Sequence, residues 1–198
     1  MNTFLIPVFL FSFAGCFAQD VIYTRYNAAI QAQIKSEGKA SVTYTKPDLP
    51  GNNYVIDKGD IREIKFQDGR FKDFPADLYE NLSIEETFAA IKSVMEAYAM
   101  DNDKDKNHFS IDFKDQKLYV KKNSDVEIYD FREVKSFMPV SKKENDKAAI
   151  GIYVLTATNE KATKWSKGKF AVLVEGQDNA FELYNLLKHL NKTLKAQK

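Results

Sequence analysis

Apolar residues are spaced in two different ways along this chain, and the first is an alternation with polar residues. Within residues 19–71 the apolar positions come in short runs of period two, such as Ile30, Ala32 and Ile34. Turn-forming residues separate the runs, most clearly in residues 47–52, Pro-Asp-Leu-Pro-Gly-Asn. This alternation is typical of strands with one buried face. We therefore predict a small all-β module of four or five strands over residues 19–71.

Residues 72–82 break this alternation, contain Pro75 and carry charges of both signs, which is typical of a linker. A helix is predicted to follow, because Ser83 and Glu86 have the spacing of a capping box. The apolar residues after Ser83 recur three and four positions apart, which places them on one helical face. The predicted stripe consists of Ile84, Phe88, Ile91, Met95 and Tyr98.

Beyond this helix the apolar residues alternate again, with a turn predicted at Asp115-Gln116. A second amphipathic helix ends the chain, and Asp178 is predicted to cap it. The order of helix, antiparallel strands and helix over residues 83–198 indicates an α+β domain, so the whole chain is predicted to be α+β. The predicted strands are residues 109–113, 118–120, 126–134, 149–157 and 170–174. The apolar stripe of the second helix is Ala180, Leu183, Tyr184, Leu187, Leu190 and Leu194.

The first eighteen residues contain no charged side chain and are rich in Phe, Leu, Ile and Val. Their apolar stretch is shorter than the about 20 residues that span a bilayer, and it ends in small residues. We therefore predict that residues 1–18 are a signal peptide for export.

Two routes of processing are open for this signal peptide. Cleavage after Ala18 would release a chain that begins at Gln19 and is periplasmic or secreted. Alternatively, residues 13–16, Phe-Ala-Gly-Cys, resemble a lipobox, in which Cys16 becomes the lipidated first residue. In that case the protein is associated with a membrane and anchored in the envelope through Cys16.

Composition and charge exclude some classes of function. The chain has 29 basic and 28 acidic residues, a formal net charge of +1, whereas a nucleic-acid-binding protein is normally strongly basic. Nucleic acid is therefore not a predicted partner. Cys16 is the only cysteine, so the chain cannot form an internal disulfide and packing alone must hold it.

The predicted β module resembles a small β module that recurs in exported proteins of Gram-negative bacteria. The resemblance covers about a quarter of the chain and specifies mostly a fold. It implies an envelope protein and carries no catalytic residues. The matching positions are Asp20, Ile22, Ile30, Ala32, Ile34, Val42, Tyr44, Lys46, Gly51, Tyr54, Ile56, Asp60, Ile61, Ile64, Phe66 and Gly69.

The C-terminal part resembles a pleckstrin-homology-like roll in the order of its elements, which are strands closed by one amphipathic helix. Members of that family that bind inositol phosphates carry several basic residues in the first hairpin. Here that hairpin is the short acidic turn Asp115-Gln116, so binding of a lipid headgroup is not implied. The role that the resemblance leaves is docking of a protein or peptide.

Residues 101–105, Asp-Asn-Asp-Lys-Asp, have the residue types that open a calcium-binding loop. Such a loop needs glycine at its sixth position, where this chain has Lys106. Its twelfth position needs a bidentate glutamate, whereas Asp112 lies in a predicted strand. We therefore predict a solvated loop here and neither a metal site nor a cofactor.

The segment 161–169 places the only tryptophan, Trp165, among four lysines in what is predicted to be a hairpin loop. An amphipathic aromatic side chain surrounded by cations suits docking onto an anionic membrane surface, a glycan or a protein partner. The alternative is that Trp165 folds back onto the domain while the lysines stay in water. The four lysines are Lys161, Lys164, Lys167 and Lys169.

No catalytic residues are predicted, because the two histidines, His108 and His189, lie in separate elements and no hydrolase or phosphate-loop motif is present. The first hypothesis is therefore an exported, non-catalytic module that binds or scaffolds an unknown envelope protein. The alternative is a carrier of a small ligand or lipid, with an apolar pocket under a helix. A hydrolase with a spatially assembled site is the third hypothesis.

Overall fold

The computed structural model of the chain describes residues 19–100, 110–122, 125–159 and 161–197. They form an α+β fold of two antiparallel sheets and two helices, with a helix after the last strand, which confirms the predicted fold class. The signal peptide and the calcium-like sequence 101–105 lie outside the described residues. The helices are α1 (Ile84–Tyr98) and α2 (Gln177–Ala196). The strands are β1 (Asp20–Thr24), β2 (Ala29–Glu37), β3 (Ser41–Lys46), β4 (Leu49–Asp57), β5 (Ile61–Lys65), β6 (Phe71–Asp73), β7 (Ala99–Met100), β8 (Ser110–Lys114), β9 (Lys117–Lys122), β10 (Asp125–Phe137), β11 (Ser141–Lys142), β12 (Lys147–Ala157) and β13 (Trp165–Glu175).

The first sheet has the strand order β4-β3-β2-β1-β5-β6, and the alternation in the sequence accounts for its buried face. Its strands turn one set of side chains inward, and these form a hydrophobic cluster of their own. Strand β6 and the buried Phe74 continue this sheet beyond residue 71, into the segment that the sequence suggests is a linker. The buried members of the cluster are Ile22, Ala32, Val42, Tyr44, Ile61, Ile64 and Phe74.

The second sheet has the strand order β7-β13-β12-β10-β9-β8, with β11 beside β12. The predicted turn at Asp115-Gln116 joins β8 and β9, and both residues have positive φ, 51° and 59°, as a tight hairpin turn requires. Strands β12 and β13 pair without interruption from Lys147 opposite Glu175 to Ala157 opposite Trp165. The predicted last strand, residues 170–174, was therefore too short.

Both helices pack on the same side of the second sheet. The predicted capping box starts α1: the Glu86 N–H donates to Ser83 Oγ over 3.1 Å, and the Ser83 N–H donates to Glu86 Oε2 over 2.8 Å. The leucines of α2 are fully buried, as the stripe predicts, because they face the sheet. This second core includes Ile91, Met95, Leu118, Phe131, Ile150, Ile152, Val154, Phe170, Val172, Leu183, Leu187, Leu190 and Leu194.

Asp178 does not cap α2, so that prediction was wrong. Gly176 occupies the capping position, with no side-chain hydrogen bond, and Asp178 comes two residues later, already inside the helix. Its carboxylate instead accepts hydrogen bonds from the Lys39 N–H (2.8 Å), the Ala40 N–H (3.0 Å) and Ser41 Oγ (2.7 Å) of the first sheet. The Asp178 carboxylate, which the local sequence predicts to cap α2, thus binds the turn at the start of β3.

Gly38 allows this close approach. A Cβ atom at position 38 would lie 2.3 Å from Asp178 Oδ1, much closer than side-chain atoms come in real structures. Glycine is therefore required where the turn between β2 and β3 meets the first turn of α2.

A second contact between the first sheet and α2 involves a buried carboxylate. Asp57 is 3% exposed and accepts hydrogen bonds from Asn185 Nδ2 (2.7 Å) and from the Gly59 N–H (2.8 Å). Burial raises the pKa of Asp57, and the hydrogen bonds from Asn185 and Gly59 oppose this only in part. The ionised form of Asp57 is therefore less favourable in the folded chain than in the unfolded chain.

Asp57→Asn is expected to raise the free energy of unfolding at pH 7 by about 1 kcal/mol, because asparagine keeps an acceptor oxygen without the buried charge. A raised folded-state pKa means that wild type regains stability as the pH falls through that pKa. The difference between the two proteins should therefore disappear below the ordinary aspartate pKa of 3.8. Urea denaturation across this pH range measures it.

The matched control for this prediction is Asp48→Asn, which removes an exposed carboxylate from the turn between β3 and β4. It should change the free energy of unfolding at pH 7 by no more than about 0.5 kcal/mol. A loss of stability in Asp57→Asn at pH 7 would contradict the argument, since it would mean that the charge itself stabilises the junction.

Candidate functional site

One side of the second sheet is turned away from both helices. Because side chains alternate along a strand, the burial of Ile152, Val154 and Phe170 against the helices sends their neighbours to the opposite side. We call this side the outer face. It comprises Tyr153 and Leu155 of β12 and Trp165, Lys167 and Lys169 of β13, with Lys117 and Lys135 beside them.

The structure brings together three of the five residues of the predicted binding segment. Trp165, Lys167 and Lys169 are two positions apart on β13 and therefore point to the same side. They were predicted to lie in a hairpin loop, which was wrong because pairing with β12 already begins at Trp165. Their direct neighbours on β12 are Ala157, Leu155 and Tyr153, respectively.

The remaining two predicted residues, Lys161 and Lys164, lie in the loop that leads into β13. Asn159 holds this loop: its Oδ1 accepts the N–H groups of Thr163 and Lys164, each over 3.0 Å, and its Nδ2 donates to Thr163 Oγ1 over 2.8 Å. Lys161 and Lys164 are both exposed. The loop therefore presents these two lysines next to Trp165 from a hydrogen-bonded turn.

Trp165 is partly exposed at the start of β13, so it is neither folded into the core nor free in solvent. The Lys117 ammonium lies 5.2 Å from the centre of its ring, within the range of a cation–π interaction. Tyr153 is the more exposed aromatic residue of the outer face, at 46% of its surface. Two aromatic side chains are thus available on this face for apolar contact.

The lysines of the outer face crowd one another. The neighbouring amino group of Lys167 lowers the pKa of Lys135, because a second ammonium group close by disfavours the charged form. The outer face therefore has a locally positive potential that a bound anion would relieve.

Gly151 shapes the surface next to these lysines. A Cβ atom at position 151 would lie 3.0 Å from Met138 Sδ and 3.1 Å from Lys169 Cε. The aliphatic part of Lys169 and the side chain of Met138 thus lie close over the strand at this glycine. Lys169 therefore extends over β12 and stays exposed to solvent.

An acidic residue opposite Leu155 of the outer face, Asp130, is bound by an arginine. Asp130 lies opposite Leu155 on β10 and accepts hydrogen bonds from Arg132 Nε (3.0 Å), Nη2 (2.8 Å) and backbone N–H (3.1 Å). Burial alone would raise the pKa of Asp130, but these bonds from Arg132 outweigh it and lower that pKa. Asp130 is therefore paired mainly with Arg132, and the charge of Lys117 lowers its pKa further.

The sequence indicated Trp165, Lys167 and Lys169 but missed Lys117, Lys135 and Tyr153. Lys135 lies between Val134 and Ser136, where the register of β10 against β12 shifts and one residue bulges out. Lys117 reaches Trp165 from β9, which is separated from β13 by β12 and β10 in the sheet. Lys117 and Lys135 lie on this face because of the strand order and a bulge, and neither feature can be recognised from the local sequence.

His189 lies on α2, away from the outer face, and its contacts there are structural. Its Nδ1 lies 2.9 Å from Asp77 Oδ2 and its Nε2 lies 3.1 Å from the Leu82 carbonyl oxygen, so both ring nitrogens hold the segment before α1. A cleft of about 370 Å³ beside it is lined by polar and apolar groups, among them Asn185 and Lys188. His108 lies outside the described residues.

Within the described ranges, no group of three or more His, Cys, Asp or Glu side chains is placed to hold a metal ion. None of the helices there is both long and apolar enough to cross a membrane. The sequence matches no known protein family, and no match was found among curated proteins or solved structures. The outer face is therefore interpreted from its own chemistry.

Proposed function

We propose that this chain is an exported, non-catalytic envelope protein that binds another protein through the outer face. The observation that carries the proposal is the combination of Trp165 and Tyr153 with closely spaced lysines on a sheet face that neither helix covers. Tryptophan and tyrosine are the residue types that most often dominate the energy of protein interfaces. The resemblance in element order to pleckstrin-homology-like rolls supports the same role, protein or peptide docking.

Export is part of the proposal and rests on residues 1–18. Cleavage after Ala18 would place the protein in the periplasm or outside the cell, and lipidation of Cys16 would anchor it in the envelope.

The packing beneath α2 favours surface binding over the second function, transport of a small ligand or lipid. Leu183, Leu187 and Leu190 fill the space between α2 and the sheet and are fully buried. The cleft beside this helix is lined in part by Asp77, Lys188 and Lys192, which is unsuitable for an apolar ligand. The proposal of a binding face therefore has the stronger structural support.

Native mass spectrometry of the protein isolated from the envelope of its own host tests this proposal. Wild type is expected to carry a second polypeptide, and Lys167→Glu with Lys169→Glu is expected to lose it by charge reversal. The matched control, Lys35→Glu with Lys65→Glu, makes the same change in charge at exposed positions of the first sheet and should keep the partner.

Three outcomes of this experiment would change the proposal. A bare wild-type monomer would contradict stable binding of a protein. A retained small molecule would support the carrier function instead. A partner that stays bound to the double variant would show that the interface lies elsewhere. The same spectra also report whether Cys16 carries lipid.

A further inference from the structure

We infer that the partner of the outer face is an acidic polypeptide segment that lies in extended conformation along β13. The inference rests on the proposed function and specifies the chemistry of the partner. It is based on the arrangement of the lysines and aromatic side chains, which fits an acidic extended segment better than a membrane surface.

Charge is the first argument for an acidic occupant. Lys167 faces Lys135, and Lys169 extends over Gly151, while Asp130 is held by Arg132. A carboxylate placed between Lys135 and Lys167 would replace repulsion with two charge-assisted hydrogen bonds. A negatively charged ligand is therefore expected to bind more favourably at this cluster of lysines than at an isolated exposed lysine.

Spacing is the second argument, and it favours an extended chain. Lys167 and Lys169 are two positions apart on one strand, so their Cα atoms are about 7 Å apart. Acidic side chains at alternate positions of an extended peptide repeat over the same distance. Trp165 lies one further repeat along β13 and can pack against an apolar side chain of the ligand.

The environment of Trp165 argues against a membrane surface as the occupant. Interfacial tryptophan and tyrosine anchor a protein when their rings are free to enter the headgroup region. Trp165 is only partly exposed, and the Lys117 ammonium lies over its ring. An acidic segment can bind beside the Trp165 ring without moving it, whereas membrane anchoring would require the ring to insert into the headgroup region.

The test uses the exported, processed protein and two synthetic peptides of identical composition. One alternates glutamate and threonine over eight residues, and the other has the four glutamates in one block. Trp165 is the only tryptophan of the chain, so its fluorescence reports binding at this face without a label. The alternating peptide is expected to shift this fluorescence at lower concentration than the block peptide, and added salt is expected to weaken both.

Charge reversal provides the specificity control. Lys167→Glu with Lys169→Glu is expected to weaken binding of the alternating peptide about tenfold or more, because attraction becomes repulsion. Lys35→Glu with Lys65→Glu should leave the affinity within about twofold of wild type, since these exposed lysines lie on the first sheet. Circular dichroism of both double variants confirms that they are folded.

Several results would overturn the inference. They are the absence of a fluorescence shift with either peptide, equal binding of the two peptides, or tighter binding to phosphatidylglycerol vesicles than to the alternating peptide. Failure of the inference is distinguishable from failure of the proposed function. If Lys167→Glu with Lys169→Glu still abolishes the partner in native mass spectra, the binding face stands and only the acidic, extended partner is wrong.

Discussion

Asp178→Ala is expected to lower the free energy of unfolding at pH 7 by about 3 kcal/mol, because a charged acceptor of several hydrogen bonds is lost. The carboxylate accepts two backbone N–H groups, those of Lys39 and Ala40, and the hydroxyl of the buried Ser41. Alanine leaves these donors without their partner at the junction between the first sheet and α2. Urea denaturation of the two proteins measures the difference.

The matched control is Glu182→Ala, one turn further along α2. Glu182 forms an ion pair of 3.4 Å with Lys39, whose side chain is 69% exposed. Glu182 itself is 13% exposed, but an ion pair with so exposed a lysine contributes less than about 1 kcal/mol, so this variant should be close to wild type. If Asp178→Ala were no less stable than Glu182→Ala, apolar packing and not the carboxylate would hold the junction.

Acid should weaken the same junction in wild type. Burial alone would raise the pKa of Asp178, but the hydrogen bonds from Ser41, Lys39 and Ala40 outweigh it and lower that pKa. The folded-state pKa thus lies below the unfolded value, so the stabilisation is complete above pH 3.8 and is lost as the pH falls through the folded pKa. Asp178→Ala should therefore lose less stability than wild type on acidification in this range.

His189→Ala is expected to cost about 3 kcal/mol, because it removes both hydrogen bonds of a buried ring and leaves a cavity. Without the ring, the Leu82 carbonyl oxygen loses its hydrogen bond to His189, and the Asp77 carboxylate keeps only Lys192 as a partner on α2. Burial alone would raise the pKa of Asp77, but hydrogen bonds from His189 and Lys192 lower it, so this carboxylate is held ionised at neutral pH. Thermal or urea unfolding measures the loss.

Hydrogen exchange shows whether this loss is local to the segment that precedes α1. The Tyr79 N–H is bonded to Asp77 Oδ1 and the Leu82 N–H to the Tyr79 carbonyl oxygen, so both should exchange faster in His189→Ala. Lys192→Ala is the control, because Lys192 reaches Asp77 over 3.0 Å but is largely exposed. Equal effects of the two substitutions would contradict a dominant role for the histidine.

The local elements could be predicted because their signals are short in range. Alternation at Ile30, Ala32 and Ile34 describes one strand, and the capping box joins Ser83 and Glu86, which are three positions apart at the same helix start. Such patterns depend on backbone geometry within a few residues. Both are confirmed by the structure.

Asp178 shows where this local reasoning fails. An aspartate near the start of a helix is a good cap in any isolated peptide, and the sequence contains nothing that points to residues 39–41. Those donors lie about 140 positions away and reach Asp178 only because α2 packs beside the turn between β2 and β3. Packing of α2 against the first sheet therefore determines that Asp178 binds residues 39–41 and not the backbone of its own helix.

Local patterns in the amino-acid sequence were enough to predict the fold class, both helices and most strands, and they drew attention to Trp165 with its neighbouring lysines. The pairing of β13 with β12 was needed to show that Trp165, Lys167 and Lys169 share one face of a strand. The three-dimensional arrangement also brings Lys117 and Lys135 to this face from other strands. The difference arises because periodicity records which side of an element is buried, whereas strand order, register and bulges determine which distant side chains meet on the other side.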